Sequence, residues 1–287
     1  MARYPERCER LTATPLRLDG AGLGVSAGGA FDALVNGPSV ADLTAEGFLV
    51  PARIFAPDTP PDLRGIMTRA GDYDPSALSD LMGTGQVVAA VAAHYRLHVG
   101  DGPTILFAAG TRHADAVAAG LRAAGIASMA ISAATPPHER ENALSGLARG
   151  SVEVLCNCDL ISEGLDVPGI AAVILLRPTK SLTLYLQQVG RGLRPAPGKQ
   201  ELIVLDHAGN SITHGLPSAP RRWTLDGVGP GRDRRARRLA SFCPRCAAVV
   251  RRARPTCRSC GAPLNRGGQP ASRPGGMLIE VNSSAGA

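Results

Sequence analysis

The chain has 287 residues, 44% of them hydrophobic, and a formal net charge of +7. That length allows one large or two modest domains with a real buried core, and no uncharged apolar run is long enough to suggest a membrane span. The start, MARYPERCER, lacks the apolar segment of a signal peptide, so a cytoplasmic location is expected; the seven cysteines then read as thiols and metal ligands rather than disulfides.

Charge is unevenly spread. Residues 1–220 carry 17 Lys and Arg against 21 Asp and Glu, a net −4, whereas residues 221–258 carry 12 Arg against 2 Asp, a net +10. A basic block on a mildly acidic body is the footprint of a polyanion partner. The bland alternative is a merely soluble Arg run.

In chain order, Leu11–Pro15 (LTATP) reads as a strand end running into the Gly-rich turn LRLDGAGLG. Gly24–Gly28 (GVSAG) fits the pattern of a serine-hydrolase elbow, but that elbow needs a buried strand before the serine. The residues before Ser26 are loop-forming, so no nucleophile is expected there. Ser39 caps a helix carrying Val40, Leu43 and Phe48, and a short strand follows at Ala52–Ala56. Residues 57–85, rich in Asp, Pro and Gly at their start, read as a linker. From Gln86 the run VVAAVAAHYRLHV is helical and places His94 and His98 four residues apart. That spacing can present two metal ligands on one face, but no third is near in sequence, so solvent-facing histidines are expected.

Strand and helix then alternate: strands at Thr104–Ala108, Ala127–Ile131 and Val152–Cys156, helices at Arg112–Ala124 and Pro136–Arg149. This rhythm implies an α/β fold with a parallel sheet covered by helices on both faces and ligand loops at the strands' C-terminal ends. Those loops are Ala108–Thr111, Ser132–Thr135 and Asn157–Asp166. Thr135, before Pro136, is also placed to cap its helix. Cys156 and Cys158 read as core residues.

The densest chemistry lies in Ser162–Pro195: SEGLDVPG, a buried strand Ile170–Leu176, RPTKS, then LTLYLQQVGRGLRP. Ser181 caps a helix with Leu182, Leu186 and Val189 on its inner face. The helix ends in Gln187, Gln188, Gly190, Arg191, Gly192 and Arg194, where two planar guanidinium forks share one face and can meet phosphate oxygens. Glu201–His207 supplies a further strand, with Asp206 and His207 expected to pack rather than catalyse. Cys243, Cys246, Cys257 and Cys260 form two CxxC knuckles, a tetrahedral Zn²⁺ set that would hold a ribbon too small for its own core. Arg235, Arg238, Arg251 and Arg252 flank the knuckles as candidate phosphate contacts, and the Gly/Ser/Pro-rich tail after Asn265 reads as disordered.

These segments together resemble the second RecA-like lobe of superfamily 2 helicases of the DEAD/DEAH-box kind. Glu163–Asp166 resembles the loop called motif V, Gln187–Arg194 motif VI, and Leu11–Pro15 motif III at the end of the first lobe. The resemblance implies that Arg191 and Arg194 are arginine fingers toward an ATP. Gly164, Asp166, Gln187, Gln188 and Gly190 would border the nucleotide, and Gly110, Thr111, Thr135 and Ser162 would touch a nucleic-acid backbone. Where relatives often have an Asp-Gly pair before the threonine loop, this chain has Ala133 and Ala134.

A phosphate-cradling GxxxxGK[ST] loop needs exposed N–H groups and a lysine. The only lysines, Lys180 and Lys199, sit in no such loop, and no acidic DExx box appears. The expected organisation is therefore a remnant of the first lobe and crossover (1–56), a linker (57–85), the lobe (86–220), an Arg-rich zinc ribbon (221–264) and a tail (265–287). Expected partners are nucleic acid, by family DNA, and a separate ATP-binding lobe supplying MgATP; no membrane is expected. The alternative is a non-enzymatic zinc-ribbon module that binds nucleic acid.

Overall fold

The computed structural model describes residues 10–17, 21–58, 60–158, 169–226, 240–242, 249–251, 256, 263 and 276–281. Its strands are β1 (Ala52–Pro57), β2 (Thr68–Arg69), β3 (Asp72–Tyr73), β4 (Thr104–Phe107), β5 (Ser128–Ile131), β6 (Val154–Asn157), β7 (Ala172–Leu175), β8 (Leu202–Asp206), β9 (Ala240–Phe242), β10 (Val249–Arg251) and β11 (Leu278–Val281). Its α-helices are α1 (Val40–Ala45), α2 (Pro75–Met82), α3 (Gly85–His98), α4 (Thr111–Ala123), α5 (Pro137–Ala148), α6 (Leu182–Gly192) and α7 (Asn210–His214).

Seven strands form one sheet in the order β11-β1-β8-β7-β4-β6-β5. Every pairing from β1 to β5 is parallel; β11 alone runs antiparallel, along the outer side of β1. Short runs such as TILF, VLCN and AVIL are buried at every position, as a sheet covered on both faces requires. On one face Leu106, Cys156, Ile174 and Leu205 meet the apolar stripes of α3 and α4. On the other, Phe107, Leu155, Val173 and Val204 meet Leu147 of α5 and Tyr185 and Val189 of α6. Cys156 and Cys158 are buried core residues, and burial pushes the Cys156 thiol up to about 12.

The structure corrects three of the expected boundaries. The strand at 52–57 is no loose end of another body, because it pairs with β8 and lies inside the lobe's own sheet. The expected linker folds along the C-terminal edge of the sheet. Pro60 abuts Gly209 after β8, and a Cβ there would lie 2.7 Å from Pro60 Cβ. The β2–β3 hairpin then meets the loop after β7, and α2, capped by Asp74, packs against the start of α4. Finally, the tail contributes β11, which Arg53 of β1 holds by bonds to Glu280 while also reaching Glu201 (3.0–3.1 Å).

His94 and His98 are half-buried rather than facing solvent. The ring of His98 stacks on Phe55 at 4.0 Å between centroids, and His94 lies 5.1 Å from the ring of His207, which sequence distance had hidden. These ring contacts make the imidazoles packing groups. Burial lowers the pKa of all three, that of His207 to about 3, with His94 adding to it.

Two outcomes follow from this packing. A folded-state pKa below the unfolded value of about 6.5 means stability that is complete above that pH and is lost as pH falls toward about 3. Thermal melts between pH 7.5 and 4.5 should record this loss, with a flatter profile in His207→Leu. At Gly192 a Cβ would lie 2.4 and 2.9 Å from the Leu202 methyls and 3.1 Å from Val173. Gly192→Val should therefore cost roughly 1–3 kcal/mol, read as a fall of several degrees in melting temperature.

Candidate functional site

The turn between β7 and α6 organises the site. Thr179 is 2% exposed, and every polar group it owns is bonded. Its N–H donates to Asn210 Oδ1 (3.0 Å), its carbonyl accepts from His214 Nε2 (2.9 Å), and its hydroxyl donates to Asp72 Oδ2 (2.6 Å) while accepting from Ser181 N–H (3.0 Å). Asn210 Nδ2 also donates to the Arg177 carbonyl (2.9 Å). Asn210 is held in turn by buried Asp206, whose oxygens accept from Asn210 N–H (3.1 Å) and from the N–H and hydroxyl of Ser211 (both 2.6 Å). Burial raises the Asp206 pKa, against these hydrogen bonds, which lower it. Asp206 is thus a packing residue, as its sequence context suggested.

Ser181 accepts from Leu184 N–H (3.3 Å) and caps α6 as expected. The helix then crosses the whole face of the sheet. Its far end reaches the strands' N-terminal edge, where Val50 N–H donates to the Leu193 carbonyl (2.9 Å) just before β1 begins. There Arg191 is half-buried and Arg194 exposed, and both make interactions with neighbouring groups. Lys199 closes this helix end by donating to the carbonyls of Gly192 and Arg194; burial pulls its pKa down to about 8. Gln187 is half-buried and Gln188 buried, and among the described residues the Gln188 side-chain oxygen has no hydrogen-bond partner. A Cβ on Gly190 would meet only open space.

The expected nucleic-acid loops lie at the opposite, C-terminal edge. Gly110 is extended and precedes α4 with no side-chain cap, leaving Thr111 exposed. A Cβ at Gly110 would come within 3.0 Å of Ser79 Oγ, so this glycine also admits α2. Thr135 does not cap its helix: its hydroxyl accepts from Ser132 N–H (2.9 Å) and closes the loop, and the cap position falls to Pro136. Ser26 lies in an exposed single turn beside Asp226 (3.5 Å). Ser162, Gly164, Asp166, Arg235, Arg238, Arg252, Cys243, Cys246, Cys257 and Cys260 lie outside the described residues, and Arg251 is placed only as backbone of β10.

Among the described candidates, Arg191 and Arg194 therefore lie at one edge of the sheet and Gly110, Thr111 and Thr135 at the opposite edge. Reading by sequence missed Asp72, Asn210 and Lys199. A hairpin turned by Ala-Gly, without Asn-Gly or Asp-Gly, gives no strong signal.

The mostly parallel sheet with helices on both faces has the RecA-like helicase fold. Residues 87–196 match the family described as "Helicase conserved C-terminal domain", so this part of the chain is a helicase C-terminal lobe. The chain is 31% identical over 252 residues to a "51.5 kDa protein" of a Lactococcus phage, covering 87% of this chain and 54% of that protein. It is 30% identical over 200 residues to "Putative ATP-dependent helicase IRC3" of Saccharomyces cerevisiae, covering 69% of this chain and 28% of that one. It thus spans about half, or less, of the length of these relatives. Among solved structures, a fragment described as "a putative HsdR subunit of a type I restriction enzyme" from Vibrio vulnificus shares the fold. Its TM-score is 0.55 at 21% identity, covering 76% of this chain and 41% of that one.

Breaking the turn should be costly. Asn210→Ala strands the buried Thr179 N–H and removes the bond to the Arg177 carbonyl, and a loss of roughly 2–4 kcal/mol is expected in denaturant unfolding.

Proposed function

We propose that the chain is the C-terminal part of an ATP-dependent superfamily 2 DNA helicase or translocase. Arg191 and Arg194 would be arginine fingers, with Gly164, Asp166, Gln187, Gln188 and Gly190 bordering the nucleotide. Gly110, Thr111, Thr135 and Ser162 would grip the nucleic-acid backbone, aided by Arg235, Arg238, Arg251 and Arg252 beside a zinc site of Cys243, Cys246, Cys257 and Cys260. The observation that carries this reading is the position of α6, which sets two guanidinium-bearing residues at the edge of the sheet opposite the loops of Gly110–Thr111 and Ser132–Thr135.

The residues present fit one side of a nucleotide. Gly190 leaves open space, Gln188 keeps an unused acceptor, and two arginines stand beside them. Bound MgATP would supply the free energy of phosphoryl transfer, and this chain's part is charge stabilisation and closure around it. The cradle for its phosphates would come from a separate lobe. The helicase in the name of IRC3 supports the class, and DNA over RNA follows the family resemblance. The net +10 of residues 221–258 favours a second reading, a zinc-ribbon module that binds nucleic acid without catalysis.

The purified chain should show negligible ATPase activity. Addition of a separately expressed first lobe from a close relative should restore it, and Arg191→Ala should then lower turnover about a thousandfold or more. DNA binding with no recovered hydrolysis would favour the module instead. Metal analysis should find about one zinc per chain, and a folded, metal-free ribbon would refute the cysteine assignment.

A further inference from the structure

The segment between β1 and α3 carries something that neither the lobe's family match nor its expected contacts assign. It runs along the C-terminal edge past β8, β7 and β4 in turn: Pro60 abuts Gly209, the β2–β3 hairpin meets Thr179 and Lys180, and α2 meets Gly110. We propose that this hairpin is a phosphate-contacting finger for nucleic acid, with Arg69 at its tip making the contact and Asp72 as the residue that positions it. The proposal rests on the nucleic-acid reading of this edge given above.

Three observations carry it. First, the hairpin is fixed to the lobe. Asp72 accepts from the Thr179 hydroxyl (2.6 Å) and from Lys180 N–H (2.7 Å), while the Lys180 ammonium bonds the Thr68 hydroxyl and lies 4.5 Å over the Tyr73 ring. Its orientation is therefore set by the same turn that starts α6.

Second, its charge is arranged to face outward. The three carboxylates of residues 62–74 are all engaged internally: Asp62 pairs with Arg64 (2.6 Å), Asp72 holds the β7–α6 turn, and Asp74 caps α2. None neutralises Arg69, which is exposed and has no side-chain partner among the described residues. Arg112, exposed at the start of α4, and Lys180 extend the basic character along the same edge. A fork with five donors and no acceptor among the described residues suits a phosphate oxygen.

Third, the tip is a strained, projecting turn. Ala70 has φ of +49° and Gly71 +86°, so two consecutive residues take the left-handed conformation that reverses a two-residue hairpin. Ala70 is the only non-glycine residue with positive φ among those described. Met67 beside it is 75% exposed. A turn held in an unfavourable conformation for a side-chain-bearing residue persists when the surrounding bonds over-determine it, as those of Asp72 do here.

The test is fluorescence anisotropy of the full chain with a labelled single-stranded DNA oligonucleotide at several salt concentrations, repeated with RNA of the same sequence. Arg69→Glu should weaken binding about three- to tenfold and lower the slope of log affinity against log salt by about 0.7. Asp72→Asn removes a negative charge, so a surface acting through charge alone would bind more tightly. If the hairpin is a positioned finger, Asp72→Asn binds several-fold more weakly. Arg69→Glu removes no side-chain bond among the described residues, so its result stands even if Asp72→Asn perturbs folding. Unchanged affinity and slope in Arg69→Glu, or equal or tighter binding by a folded Asp72→Asn, would overturn the inference alone. Absence of any binding by the unmodified chain would remove the nucleic-acid reading and the finger with it.

Discussion

Thr179 is the joint on which the lobe turns. A buried backbone group without a partner costs on the order of 1–3 kcal/mol, and a chain leaving a parallel strand for a helix exposes several such groups at once. Here Asn210, His214, Asp72 and Ser181 satisfy them all. The joint takes partners from two remote stretches of sequence, the hairpin and α7, and in doing so fixes where α6 starts, how the hairpin stands and how the end of β8 is closed.

From that joint α6 works as a strut. Its eleven residues span about 16 Å at 1.5 Å per residue, close to the height of the four- and five-residue strands beneath it. The helix therefore begins at one edge and finishes at the other. Tight packing at Gly192 keeps it from sliding, because Leu202 and Val173 occupy the space any side chain would need. The guanidinium groups of Arg191 and Arg194 thus report the position of a turn some three helical turns away.

The alternation of buried runs with amphipathic stretches was enough to read the parallel sheet and the helices on its two faces, because β4, β6 and β7 are buried throughout and the longer helices carry apolar stripes. Ser181 and Ser39 both cap as their sequence positions implied. The lobe's margins were less readable. Residues 57–85 looked like a linker because short hairpins and one eight-residue helix bury little of their own surface and depend on the sheet edge beneath them. β11 lies in a stretch whose composition suggests no structure, and only its partner β1 makes it a strand. Asp72 could not be found by spacing, since its partners lie 107 and 108 residues away. The same holds for His207, which joins His94 only once the chain is folded.

The antiparallel strand Leu278–Val281 bears on the long Arg- and Cys-rich stretch that precedes it. Upstream, the Leu225 carbonyl is bonded by the backbone N–H groups of Leu23 and Gly24; downstream, β11 is stitched to β1. Residues 278–281 return to the outer side of the strand at 52–57, so the far end of that stretch is made fast to the lobe's own sheet, at the point where Arg53 spans Glu280 and Glu201.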